Sequence, residues 1–228
     1  HLSNSIISSD NASKADIDFL ERFNKDLHSY NWPSYNSNNY SQISKKEDRL
    51  VFIGAFSKHK NVKEFEDTIP KIINLTHIND VIIVGNGDDR IVIDNLVSKY
   101  PDNIRHVESL STKDALNLIA SSYITYTPSK NGGWAFIIDS WIAKTPLVST
   151  NNHFNFRDKF DSIIARKEDI HIKINELYRK PILYEEIRIN GYNRYLKHHN
   201  AKMLSSKYYD IISKFAWIRY YSDDFYLN

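Results

Sequence analysis

From residue 50 onward, short apolar runs alternate with longer amphipathic segments, and that alternation leaves few folds open to the chain. The runs are Leu50-Val51-Phe52-Ile53-Gly54, Val81-Ile82-Ile83-Val84-Gly85, Ile104 to Val107, Tyr123 to Thr127 and Pro146 to Ser149. Between them Val62 to Leu75, Asp89 to Tyr100, Thr112 to Ser121 and Trp134 to Ala143 have helical spacing, with Pro70 expected to kink or interrupt the first. Ser111 supplies a cap for the third of these helices. Strands that alternate with helices call for right-handed crossovers and a buried parallel sheet, so the expected class is α/β, doubly wound.

The flanks read differently. Ile6 to Ser9 is a short strand candidate, and Ala15 to Ser29 sets Ile17, Leu20, Phe23 and Leu27 at helical spacing. Tyr30 to Asp48, rich in Asn and Ser and containing Pro33, has the composition of a connector, which puts a domain boundary near residue 48. After residue 166 the strands stop. Glu168 to Arg179, Leu183 to Leu196 and Ala201 to Trp217 follow as extra C-terminal helices, with Asn190-Gly191 a candidate interruption of the second.

Length and charge narrow the function classes. At 228 residues the chain suits one well-packed α/β domain with appendages better than two full domains around a cleft. Thirty basic residues against 28 acidic ones leave a net charge of +2, too weak a field for dedicated nucleic-acid binding. No apolar stretch approaches membrane-spanning length, and without cysteine there is no disulfide framework, zinc-thiolate site or cysteine nucleophile. A cytoplasmic setting is the default expectation. The opening His1-Leu2-Ser3-Asn4 lacks a start methionine, so a further N-terminal domain is expected upstream.

In an open parallel sheet, ligands sit beyond the carboxyl ends of the strands. The glycines fall there: Gly54 after the first main strand, Gly85 and Gly87 after the second, and Gly132-Gly133 between a strand and a helix. Glycine permits close backbone approach, and free amides at a helix start attract phosphate, although any one such loop is equally well an ordinary tight turn.

The segment Thr127-Pro128-Ser129-Lys130-Asn131-Gly132-Gly133-Trp134, continuing through Asp139 to Pro146-Leu147-Val148, resembles the GT-B glycosyltransferases, and within them the large retaining group called family four. Leu50 to Asn61, Ile82 to Gly87 and Asn103 to Val107 are similar to that family's earlier strands and turns in the same order, so the resemblance covers about residues 50 to 150. It implies a Rossmann-like, donor-binding C-terminal half over residues 49–228 with a helical tail, and a remnant of the acceptor domain plus linker over residues 1–48. It implies transfer of a sugar from a nucleotide-diphosphate donor, with no obligatory metal or other cofactor.

Carried across by position, Asp139 takes the place of the family's second glutamate, which holds the donor ribose. Asn131, eight positions earlier, takes that of the first and lacks its charge. Asparagine retains hydrogen-bonding capacity toward a sugar hydroxyl but cannot stabilise developing positive charge as a carboxylate does. The family's arginine is replaced by Ala55, leaving Lys60, helped by Lys58, to meet the diphosphate as a point charge. The resemblance assigns the distal phosphate and sugar to the amides of Gly132, Gly133 and Trp134. It assigns the base to the backbone around His106, and the glycine turns to Gly54, Gly85 and Gly87. Asn131 and Lys60 are the candidates for assisting departure of the diphosphate.

Other features count for less. His198-His199 is the densest pair among nine histidines, but adjacent helical residues diverge and no carboxylate completes a metal set. Asp223-Asp224 reads as a surface pair. The aromatic tail Trp217, Tyr220, Tyr221, Phe225 and Tyr226 suits packing first, and a neighbouring domain or peripheral membrane contact second. The expectation is a glycosyltransferase whose donor half is present, with sugar, base and acceptor unspecified. A non-catalytic nucleotide-sugar binding module is the alternative that Ala55 and Asn131 favour. A scaffold that has lost its ligand comes third.

Overall fold

A computed structural model describes residues 5–9, 26–30, 46–130, 133–152, 155–206 and 209. The chain divides into two compact units, one made of His1–Asn36 with Leu196–Asn228 and the other of Ser37–Tyr195. In the first, β1 (Ser5–Ser9) and β2 (Asp26–Tyr30) pair in parallel, with Ile6 opposite Leu27. The strand at Asp26–Tyr30 corrects the helix expected over Ala15 to Ser29, at least across its last residues. Leu27 fits a helical stripe and a strand equally well, and pairing with β1 decides between them. Residues 10–25 lie outside the described residues. Residues 201–206 are helical, whereas most of the remaining expected tail helix, the aromatic tail and Asp223-Asp224 also lie outside them.

The second unit is built on a six-stranded parallel sheet. Its strands are β3 (Glu47–Ile53), β4 (Asp80–Val84), β5 (Ile104–Val107), β6 (Ser122–Thr127), β7 (Leu147–Ser149) and β8 (Ile163–Ile164). Their spatial order is β5-β4-β3-β6-β7-β8. The chain therefore starts in the middle of the sheet, builds outward to β5, and returns to lay β6 against the other side of β3. Strand order reverses between β3 and β6, which makes that junction the natural ligand crevice. Leu50, Val51, Ile83 and Ile124 are fully buried, as expected where helices cover both faces and each strand hides both sets of side chains.

β8 was not expected from the sequence, because two residues carry no periodicity. Its loop is held by Asp161, a fully buried carboxylate that accepts hydrogen bonds from Arg157 N and Nε, each at 3.0 Å, and from Arg194 Nη1 at 2.9 Å.

The helices are α1 (Phe65–Leu75), α2 (Arg90–Lys99), α3 (Thr112–Ser121), α4 (Trp134–Ile142), α5 (Ile170–Arg179) and α6 (Pro181–His198). A short 3-10 turn, Val62–Glu64, leads into α1, and Pro70 sits inside that helix without ending it. The carbonyl deprived of its partner belongs to Glu66, an exposed residue, so solvent can take the place of the missing N–H. Ser111 caps α3 as expected, accepting from Asp114 N at 3.1 Å.

α6 runs unbroken through Asn190-Gly191, where an interruption was expected. Gly191 serves packing instead: a Cβ there would sit 2.5 Å from Cδ1 of Trp141, whose indole N–H donates to the Asp161 carbonyl at 3.1 Å. Gly191→Ala should lower the unfolding free energy by about 1–3 kcal/mol through overpacking, read as a fall in urea midpoint at unchanged slope. A midpoint equal to or above wild type would show that the indole moves aside freely.

Candidate functional site

Two turns carrying three glycines, Gly54, Gly85 and Gly87, meet at the carboxyl ends of β3 and β4. Gly54 N–H donates to Val84 O at 3.0 Å, Phe56 N to Asn86 O at 2.9 Å, and Asp89 N to Phe56 O at 3.1 Å, so the two loops lie against one another along their backbones. Gly85 and Gly87 have φ of 141° and 148°, and a Cβ on them would lie 1.9 Å from Gly54 O and 2.5 Å from Phe56 O. Loop-on-loop contact is thus sufficient to require glycine at both positions, with or without a ligand. His106, on β5, donates from Nε2 to Gly85 O at 2.8 Å and tilts against Phe56 at 5.5 Å between ring centroids. Its side chain braces the turn.

Across the crevice, the loop after β3 reaches the turn before α4. Lys60 N and Asn61 N both bond Ser57 O, closing a tight turn, and Lys130 N donates to His59 O at 2.9 Å, joining the two loops. The Lys60 ammonium lies 3.2 Å from where a Cβ on Gly133 would be. Ser129 Oγ, buried and receiving the Thr127 hydroxyl at 3.0 Å, lies 3.5 Å from the same point. Gly133, at φ 102°, starts α4, whose first turn has neither a side-chain cap nor an acidic residue. Such a terminus carries partial positive charge in its amides.

Among the described residues, neither the Lys60 ammonium nor the Asp139 carboxyl has a hydrogen-bond or ion-pair partner. Burial lowers the Lys60 pKa below the ordinary lysine value and raises that of Asp139 to about 7. Asp139 lies six residues beyond Gly133 on α4, about 9 Å along the axis at 1.5 Å per residue. Lys58 and Ala55 are exposed on the loop after β3. Trp134 is half-buried in the first position of α4 and packs edge-on to Trp141, centroids 6.4 Å apart. Asn131 and Gly132 lie outside the described residues.

The sequence reading missed Glu64. Its carboxylate accepts from Asn61 Nδ2 at 2.9 Å, the Tyr126 hydroxyl at 2.8 Å and the Thr150 hydroxyl at 2.5 Å, joining the β3 loop to β6 and the end of β7. Burial, then the Glu64 carboxylate, push the Tyr126 pKa far up, so its hydroxyl stays a donor. A signal was present in the buried Thr68 one helical turn on, whose hydroxyl donates to Glu64 O at 2.9 Å: a polar pair in the amphipathic segment. Among the described residues no three His, Asp or Glu side chains gather as a metal site, and no helix is long and apolar enough to cross a membrane.

No curated protein matches the sequence. Several solved structures match the fold. S. aureus TarM, crystallised with UDP, superposes with a TM-score of 0.72 at 14% identity over 91% of this chain. Anabaena HepE with UDP-glucose does so with a TM-score of 0.72 at 10% identity over 94%. The chain spans 43% of the TarM structure and 65% of HepE. A separately crystallised C-terminal domain of the Francisella tularensis group 1 protein LpcC matches over 73% of this chain and 94% of its own length, at 14% identity and a TM-score of 0.57. The family model described as glycosyl transferases group 1 matches residues 36–194, nearly the extent of the second unit. With that match across most of its length and a GT-B fold to go with it, the chain belongs to the glycosyl transferases group 1 family.

Proposed function

We propose that this chain binds a nucleoside-diphosphate sugar and supplies the donor half of a glycosyltransferase. One observation carries the reading: the Lys60 ammonium, with no acidic partner among the described residues, is aimed at the uncapped start of α4. A diphosphate laid across Gly133 would receive that cation and the helix amides together, and the charge released as the nucleotide departs would be met by the same groups. TarM and HepE carry UDP or UDP-glucose in their structures, which makes UDP the first probe. In this reading residues 49–228 form the donor domain, residues 1–48 belong with an acceptor domain, and LpcC supports the C-terminal assignment. Gly54 and the backbone at His106 flank the base, Gly132 and Trp134 flank the sugar with Asn131, and Lys58 adds charge at the rim.

Calorimetric titration with UDP, GDP, ADP and the matching nucleosides tests this directly. A nucleoside diphosphate should bind at least tenfold more tightly than its nucleoside. Equal affinities would remove the diphosphate from the site and the proposal with it. The second reading, binding without transfer, draws on Asn131, which lacks the charge of the family's glutamate. Donor hydrolysis by a form containing the acceptor domain separates the two.

Asp139 adds a pH signature. With its pKa near 7 in the free protein, a ribose held by the ionised carboxylate makes binding release a proton below pH 7. UDP affinity should therefore rise about tenfold from pH 6 to pH 8, while a dideoxyribose analogue changes little. Stability runs the other way: a carboxyl whose pKa is raised by folding favours the folded state in acid and loses that contribution as pH rises from about 4 to about 7. Asp139→Asn should flatten both profiles. A UDP profile that stays sloped in the variant would assign the titration elsewhere.

A further inference from the structure

Glu64 touches none of the groups assigned to the donor, yet it holds the segment that carries one of them. Asn61 directly follows Lys60 and adopts the left-handed conformation, φ 53° and ψ 35°. Asparagine tolerates that region better than other non-glycine residues, but at some cost, and the turn persists where surrounding contacts enforce it. Here the enforcing contact is the bond from Asn61 Nδ2 to Glu64 Oε2, while Oε1 is anchored by Tyr126 and Thr150. Tyr126 belongs to β6, the strand on the far side of the crevice, and Thr150 follows β7. Asn151, next along, donates from Nδ2 to Pro128 O at 3.0 Å, extending the brace to the turn that leads to Gly133.

We propose that Glu64 is a positioning residue for the donor diphosphate: by pinning the left-handed turn at Asn61 to β6 and Thr150, it keeps the Lys60 ammonium directed at Gly133. The inference rests on the donor-binding reading above. It assigns Glu64 no contact with substrate. Its effect must therefore pass through Lys60, and must concern the diphosphate rather than the nucleoside.

The test titrates UDP calorimetrically, and uridine by saturation-transfer NMR, into the 228-residue chain and its Glu64→Leu, Lys60→Ala and doubly substituted forms, each with a thermal melt. Glu64→Leu should weaken UDP about five- to twentyfold, a part of what removing the Lys60 ammonium itself would cost, and leave uridine unchanged. In the Lys60→Ala background it should add nothing. Glu64→Gln, whose oxygen keeps Tyr126 and Thr150 and whose NH2 can donate to Asn61 Oδ1 once that amide turns over, should restore most of the affinity.

A second pair avoids any folding defect at Glu64. Asn61→Ala disfavours the left-handed turn and should mimic the loss, whereas Asn61→Gly, free to adopt it, should bind UDP nearly as wild type. Equal losses for UDP and uridine, additive losses with Lys60→Ala, or wild-type binding by both Glu64→Leu and Asn61→Ala would each overturn the proposal. UDP binding that depends on Lys60 but ignores Glu64 and Asn61 overturns this inference alone. Absence of any diphosphate preference in the wild-type chain overturns the donor-binding reading, and this inference with it.

Discussion

Lys60→Ala should weaken UDP binding about 10- to 150-fold, the equivalent of about 1.5–3 kcal/mol for hydrogen bonds to a charged group in a partly dehydrated site. The expectation follows from what the lysine lacks. An ammonium that burial already disfavours, with no carboxylate beside it among the described residues, gains most from an incoming anion. The same substitution should leave the melting temperature unchanged or slightly raised, since a poorly solvated cation is removed. Lys60→Arg should recover only part of the affinity, because a planar fork does not reproduce a compact charge aimed past Gly133. A loss under threefold in Lys60→Ala would move the diphosphate elsewhere.

The second large effect concerns folding. Gly85→Ala should cost about 3 kcal/mol or more, enough to deplete the folded state of a protein of ordinary stability. A methyl group would be driven to 1.9 Å from Gly54 O at a φ that other residues rarely adopt, and the obstructing atom is main chain of a residue whose own N–H is bonded to Val84 O. Gly54→Ala makes the control: its methyl group would meet only the Phe52 ring edge at 3.0 Å, and a ring can shift by a few tenths of an ångström. If Gly85→Ala melts like wild type and loses only nucleotide affinity, the glycine is there for the ligand. A lowered melting temperature in Gly85→Ala, with Gly54→Ala near wild type, would show that backbone packing demands it.

That contrast shows where the sequence was legible. Apolar runs such as Val81 to Val84 are long enough to declare a buried strand, and the helices between them repeat often enough to declare a face, so the doubly wound sheet followed. Ile163–Ile164 and Asp26–Tyr30 became strands through their neighbours, a cause invisible in a short local pattern. Lys60 and Asp139 were singled out as site candidates by position in a family order, which says where a residue belongs but not what holds it. Glu64 has the opposite character: its importance lies in partners 62 and 86 residues away, Tyr126 and Thr150, and spacing along the chain gives no hint of them. The glycines at 85 and 87 were recognised as special, but the neighbouring loop that makes them so became visible only in three dimensions.

The position of β3 between β4 and β6 has a consequence for how the protein comes into being. A nascent chain can pair β3 with β4, and β4 with β5, early, but β3 keeps one edge open until roughly seventy further residues have been synthesised and β6 arrives. The two loops that would grip a nucleotide flank that late seam. Nucleotide added during refolding should then leave the first collapse unaltered and slow only the reopening of the finished sheet, so ligand would act on lifetime rather than on speed of assembly.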